Sequence, residues 1–326
     1  MPAGPFEPGA AGGAAAGVAP AASRAAGGGR GNGSFGSAAD VSRRLENTGY
    51  LPDDRISAVV YLASRLEKPV LVEGPAGTGK TELAKSVAVA TGSRLIRLQC
   101  YEGLDESKAL YEWNYRKQLL RIQAERVAEA SSAQAVEVSW SSIEEDIFSE
   151  EFLLERPLLS AIRAGEPTVL LVDEVDRVEL ETEALLLEVL SEYQVSIPEI
   201  GTVRASSIPM VFLTSNGTRE LSEALKRRCL YLYLDYPSPD RERRIVTAKV
   251  PGISMELAEQ VARIVQTLRG MDLKKHPSIS ETLDWARTLV VLGIGFVDEA
   301  STSATLNVLL KYRSDLDKAA KELGLE

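Results

Sequence analysis

Eight consecutive residues, Gly74-Pro75-Ala76-Gly77-Thr78-Gly79-Lys80-Thr81, have the spacing of a phosphate-binding loop. They follow the apolar run Val70-Leu71-Val72 and precede a helical pattern. The glycines let the backbone turn tightly enough to aim successive N–H groups at phosphate oxygens. Lys80 can reach the β- and γ-phosphates, and the Thr81 hydroxyl can ligate Mg²⁺. The chemistry implied is the binding of a nucleoside triphosphate.

Transfer of a phosphoryl group to water also needs a metal shell and a group that positions the water. The apolar run Val169-Leu170-Leu171-Val172 ends in Asp173-Glu174. Asp173 is the expected partner of Thr81 around the metal, and Glu174 is the candidate base. Asn216 ends another apolar run, where a neutral amide can hydrogen-bond the water or the γ-phosphate without adding negative charge. The bland reading of Asn216 is a cap or turn residue. Arg227 and Arg228 follow a short helix; they are either a solvated pair or a finger that enters a neighbouring subunit's site.

Other chemistries have little to work with. The chain has two cysteines, Cys100 and Cys229, and one histidine, His276, too few for a structural zinc site, and a single histidine offers no triad by motif. The 326 residues carry 37 basic and 47 acidic side chains, a net charge of −10, which argues against nucleic acid or an anionic membrane as the main partner. No apolar window reaches membrane-spanning length, and the two cysteines suit a reducing cytoplasm.

These residues must be held by an α/β framework. Strands are expected at 70–73, 94–100, 169–172, 209–214 and 231–234, with a hairpin formed by 194–197 and 202–204. Helices are expected at 41–46, 53–66, 81–90, 181–192 and 220–226. Residues 101–166 read as a long, polar, mostly helical stretch. Pro237-Ser238-Pro239 stops the last strand, and helices at 241–250, 254–268, 280–292 and 301–321 follow. The expected organisation is a Gly/Ala/Pro-rich disordered tail over 1–39, an α/β nucleotide-binding domain over 40–237, and a small all-helical lid over 238–326.

The order of these motifs resembles the AAA+ P-loop ATPases, and within them the MoxR family, over residues 47–326. The signs are Asp173-Glu174-Val175-Asp176-Arg177, similar to the family's D-E-I-N-R, then Ala184-Leu185-Leu186-Leu187-Glu188 and the hairpin around Gln194. Tyr111-Glu112-Trp113-Asn114-Tyr115 and the segment Leu225 to Tyr231 look like the CoxD-like branch, which includes a maturation ATPase for molybdenum-copper carbon monoxide dehydrogenase.

The resemblance implies ATP and Mg²⁺ as cofactors, with Gly74 to Thr81 and Asp173 as their ligands. It implies Glu174 as water activator, Asn216 as sensor 1 and Arg228 as the finger, with Arg177 a second candidate for acting across a subunit boundary. It further implies a homo-oligomeric ring, a hexamer, whose 101–166 insertion and 194–204 hairpin face the pore. The implied partners are a client protein and a protein with a von Willebrand A domain. One position departs from many relatives: where they have a lid arginine, this chain has Pro277-Ser278-Ile279-Ser280-Glu281, with Arg287 a possible substitute further along the helix.

The leading expectation is an ATP-hydrolysing chaperone that remodels or matures a partner, such as a metal-cofactor oxidoreductase. The alternatives are a nucleotide-gated binding module with little turnover and, less in keeping with the acidic balance, a DNA-directed motor.

Overall fold

A computed structural model describes residues 34–131 and 147–324, with the backbone alone for 125–131. The first elements are α1 (Ala38–Glu46), α2 (Asp54–Leu66), β1 (Val70–Glu73), α3 (Lys80–Thr91) and β2 (Arg94–Gln99). Asp53 caps α2 by accepting from the Ile56 N–H, and Ile56, Val60 and Ala63 line its buried face. Gly92 closes α3 in the left-handed conformation expected just past a helix end.

Next come α4 (Glu106–Ala109), β3 (Tyr111–Trp113), α5 (Tyr115–Ser131), β4 (Leu153–Glu155), α6 (Pro157–Arg163) and β5 (Thr168–Asp173). They are followed by α7 (Leu180–Glu192), β6 (Gln194–Ile197), β7 (Gly201–Arg204), β8 (Met210–Ser215), α8 (Glu223–Arg228) and β9 (Leu230–Tyr233). The chain ends in α9 (Pro239–Lys249), α10 (Met255–Gly270), α11 (Ile279–Val291), α12 (Glu299–Leu309) and α13 (Arg313–Leu323).

The apolar runs form one parallel sheet in the order β2-β5-β8-β1-β9. Its three inner strands, β5, β8 and β1, read as continuous apolar runs because both faces are covered, whereas the edge strand β2 alternates polar and apolar. Successive side chains divide between two cores: Leu71, Leu170, Val172 and Leu213 pack with α6 and α7, whereas Val70, Val72, Val169, Leu171 and Phe212 pack with α2 and α3. The hairpin β6-β7 stands apart as a two-stranded antiparallel ribbon.

A third core draws only on residues 246–323, around the fully buried Trp285, whose indole N–H donates to Thr305 Oγ1 at 2.8 Å. Glu242 and Arg269 form a buried ion pair there, with contacts of 2.5 and 2.8 Å, and the Thr282 hydroxyl donates to Glu242 at 2.8 Å. This network ties α9, α10 and α11 into one unit.

Three expectations need correction. The tail expected over 1–39 falls mostly outside the described residues, but its last part is built into the fold. Phe35 is 1% exposed, the Arg44 guanidinium lies 4.8 Å from its ring centroid, and Ser37 caps α1. The 101–166 stretch is less helical than its polarity suggests: β3 and β4 pair antiparallel, supported by Trp113 packed edge-on against Phe148 at 5.2 Å. Residues 132–146 of that stretch lie outside the described residues. The helix expected at 301–321 is two, because Leu310 turns inward to the core and α13 restarts after Tyr312.

Candidate functional site

Parallel strands deliver their C-terminal ends to one edge of a sheet, and here β1, β8 and β5 bring the phosphate-type loop, Asn216 and Asp173 side by side. The loop is pinned on both sides. Gly74 has φ +150°, and a Cβ there would sit 2.0 Å from the Leu234 carbonyl oxygen. Gly77 has φ +75°, and a Cβ there would meet Ser278 at 2.5 Å, so the start of α11 rests directly on the loop. The Ile279 N–H donates to the Gly77 carbonyl at 3.2 Å. Thr78 closes the turn by donating to Pro75 O at 2.9 Å, while Ala76 is exposed and Gly79 precedes the first turn of α3.

Lys80 is 6% exposed. Its ammonium donates to Gly74 O at 2.6 Å, Pro75 O at 2.7 Å and Asn216 Oδ1 at 2.9 Å. Burial lowers its pKa, and the surrounding carboxylates Asp176, Asp173, Glu174 and Glu73 oppose that shift. The ammonium is therefore held between loop carbonyls and the Asn216 amide, at the place where phosphate oxygens must be met.

Thr81 and Asp173 come together as expected, with the Thr81 hydroxyl 2.9 Å from Asp173 Oδ1. A hydroxyl and a buried carboxylate oxygen among further acidic groups are the hard-oxygen donors that suit Mg²⁺, so these two residues fit that ion. Thr214 also donates to Asp173 Oδ1, at 2.5 Å, and receives the Glu174 N–H at 2.9 Å.

Glu174 stands in the left-handed region, φ 59° and ψ 48°, a conformation that is strained for a glutamate and typical of functional positions. Its carboxylate accepts from Gln99 Nε2 at 3.2 Å and pairs with Arg177 Nε at 2.8 Å. Arg177, considered for a role across a subunit boundary, is thus engaged with its own chain's Glu174. Arg228 is exposed at the end of α8, donates to Ala224 O at 3.4 Å, and is not gathered with Lys80 and Asp173.

Three participants were not singled out from the sequence, and a fourth, Asp176, was quoted there only as part of the 173–177 motif. Arg97 and Gln99 lie two residues apart on β2 and therefore on one face, Gln99 being in register with Asp173. Thr214 holds Asp173 and Glu174 together. Asp176 accepts from the N–H groups of Asn216 (3.2 Å) and Thr218 (3.0 Å) and from the Thr218 hydroxyl (2.6 Å), so it fixes the turn that carries Asn216. The polar-apolar alternation of β2 was the one available signal for Arg97 and Gln99: two polar side chains on the same face of a strand that packs beside β5.

A cavity of about 610 Å³ opens beside the loop, lined by Tyr50, Gly79, Ile245, Ser280, Leu283 and Arg287 among others. Its size and mixed lining suit a nucleoside. Ser280, Leu283 and Arg287 reach it from one face of α11, so Arg287 is at the cavity wall although no arginine stands at the helix start. Its guanidinium meets Asp284 at 3.1 Å.

Residues 69–229 match the family described as AAA domain (dynein-related subfamily). This stretch is an AAA domain. The five-stranded parallel sheet flanked by helices, with helices following it, is accordingly the AAA+ P-loop fold with its helical lid.

Beyond the AAA domain itself, the chain is 25% identical over 233 residues to an uncharacterised protein of Staphylococcus haemolyticus, covering 70% of this chain and 77% of that protein. It is 25% identical over 234 residues to an uncharacterised protein of Staphylococcus aureus, with the same coverage of 70% and 77%. It is 29% identical over 239 residues to the gas vesicle ATPase GvpN of Haloferax mediterranei, covering 68% of this chain and 65% of GvpN. Among the described residues, no helix is long and apolar enough to cross a membrane.

Proposed function

We propose that this protein hydrolyses ATP and uses the cycle to remodel or mature a partner protein, as a MoxR-type AAA+ ATPase of the CoxD-like branch. The observation that carries the ATPase reading is the meeting of Lys80, Thr81, Asp173, Glu174 and Asn216 at neighbouring strand ends. The similarity to a gas vesicle ATPase supports the same reading. The maturation role, with a metal-cofactor oxidoreductase as client, rests on the motif resemblance alone.

In this reading the backbone N–H groups from Ala76 to Thr81 cradle the triphosphate, and Lys80 leaves the loop carbonyls for phosphate oxygens. Thr81 and Asp173 hold Mg²⁺, which when bound neutralises charge on those oxygens. Asn216 orients the attacking water against the γ-phosphate, and Glu174 accepts its proton. The nucleoside occupies the cavity beside Tyr50, so the helices over 238–326 act as a lid that reads the nucleotide through Arg287 and the contact of Ser278 and Ile279 with Gly77.

The reading includes a homo-hexameric ring in the cytoplasm, with Arg228 completing the neighbour's site, and a client plus a von Willebrand A domain protein as partners. Arg228→Ala and Glu174→Gln subunits, each inactive alone, are expected to regain turnover when mixed, because an intact Glu174 then meets an intact Arg228 from the next subunit. No recovery at any mixing ratio would contradict the shared site. A second reading, a nucleotide-gated binding module, is favoured by the engagement of Glu174 with Arg177 and Gln99; it predicts tight ATP binding with negligible turnover in the native protein.

A further inference from the structure

Asp173 carries a resident positive partner. Arg97 reaches Asp173 Oδ2 through Nε at 3.1 Å and Nη2 at 2.6 Å. The other carboxylate oxygen accepts from Thr81 and Thr214. The two halves of the pair differ sharply in freedom: the Asp173 side chain is 4% exposed and the Arg97 side chain 46%.

Asp173 sits at the end of a strand buried along its whole length and cannot move without disturbing the sheet. Arg97 hangs from an edge strand with its guanidinium half in water, and its Nη2 also donates to Gln99 Oε1.

We propose that Arg97 is the counter-ion that competes with Mg²⁺ for Asp173, and that it thereby sets the Mg²⁺ concentration at which the protein holds nucleotide. The proposal rests on the reading of Thr81 and Asp173 as the metal-binding pair. A buried carboxylate needs a compensating charge, and a guanidinium fork supplies it with two hydrogen bonds. Mg²⁺ requires oxygen lone pairs from the same carboxylate, and two cations drawn to one carboxylate repel. The mobile partner is the one that yields, since Arg97 can turn into solvent without burying its charge. Arg97 is thus a positioning residue: it keeps Asp173 aimed and compensated, and its displacement is part of the cost of loading the metal.

The test is the binding of a fluorescent ATP analogue to the full chain, titrated with Mg²⁺ and repeated in EDTA. Arg97→Met keeps the aliphatic stem and removes the charge. The Mg²⁺ concentration for half-maximal binding is expected to fall about two- to fivefold, the range open to an ion pair half in solvent, while binding in EDTA stays at the native level. Arg97→Lys, which keeps the charge without the fork, is expected to fall between native and Arg97→Met, and it serves as the test should Arg97→Met fail to fold.

An unchanged or raised Mg²⁺ midpoint would overturn the proposal. So would weakened binding in both Mg²⁺ and EDTA, which would make Arg97 a phosphate ligand. Native protein that binds the analogue equally well with and without Mg²⁺ would instead remove the metal-pair reading, and the proposal with it.

Discussion

Gln99 Nε2 donates to the Glu174 carboxylate at 3.2 Å, and Arg177 Nε pairs with the same oxygen at 2.8 Å. The candidate base is therefore held by a neutral amide from β2 and a cation from its own turn. Both contacts occupy the carboxylate oxygen that would meet the water's proton and fix its direction.

Removing the amide is expected to loosen that hold. Gln99→Ala should raise basal ATP turnover by about two- to fivefold, the effect of one lost hydrogen bond to a charged group partly open to solvent. Phosphate release at saturating ATP measures it. A fall in turnover would show that Gln99 aims Glu174 at the water rather than restraining it.

Most of the scaffold was legible because both faces of the sheet are covered, which turns β1, β5 and β8 into continuous apolar runs that end in the residues of interest. The loop from Gly74 to Thr81 and the pair Asp173-Glu174 announce themselves by local spacing. Arg97 and Gln99 did not, since their contacts depend on β2 lying beside β5, a neighbourhood set by sheet order and not by chain order. The ribbon of β3 and β4 was missed for a related reason. Its strands are three residues each and are separated by a long segment, so no local periodicity marks them. Phe35 was hidden by composition: a single aromatic in a Gly/Ala-rich stretch says little until α1 and α3 are seen to surround it.

The close approach of Leu234 to the loop makes a stability prediction. Gly74→Ala places a methyl group 2.0 Å from a backbone carbonyl that belongs to the chain leaving β9. Neither side can yield cheaply, so unfolding free energy should fall by about 3 kcal/mol or more. Denaturant unfolding checks this, and a loss below about 1 kcal/mol would show that the loop and the 234 region separate readily.

Glu183 gives a pH signature. It is 1% exposed and accepts the Ser222 N–H at 2.7 Å and Arg219 Nη2 at 2.8 Å, which anchors the approach to α8 and Arg228. Burial raises its pKa, but the hydrogen bonds from Ser222 and Arg219 outweigh burial and hold it below the ordinary 4.5. A depressed folded-state pKa contributes stability that is fully present above 4.5 and is lost as pH falls through the folded value. Glu183→Gln should therefore cost about 1–3 kcal/mol at neutral pH, with the gap from native protein narrowing below pH 4.5. Melting curves from neutral to acid pH read this, and a gap independent of pH would assign the loss to packing alone.

In the proposed cycle Glu174 activates water while Lys80, Thr81 and Asp173 hold the nucleotide. Paired measurement of ATP binding and phosphate release for native protein and Glu174→Gln tests it most directly. The substitution keeps the shape and removes the base, so binding should remain near the native level while turnover falls by about 10²- to 10⁴-fold. Near-native phosphate release from Glu174→Gln would contradict the account.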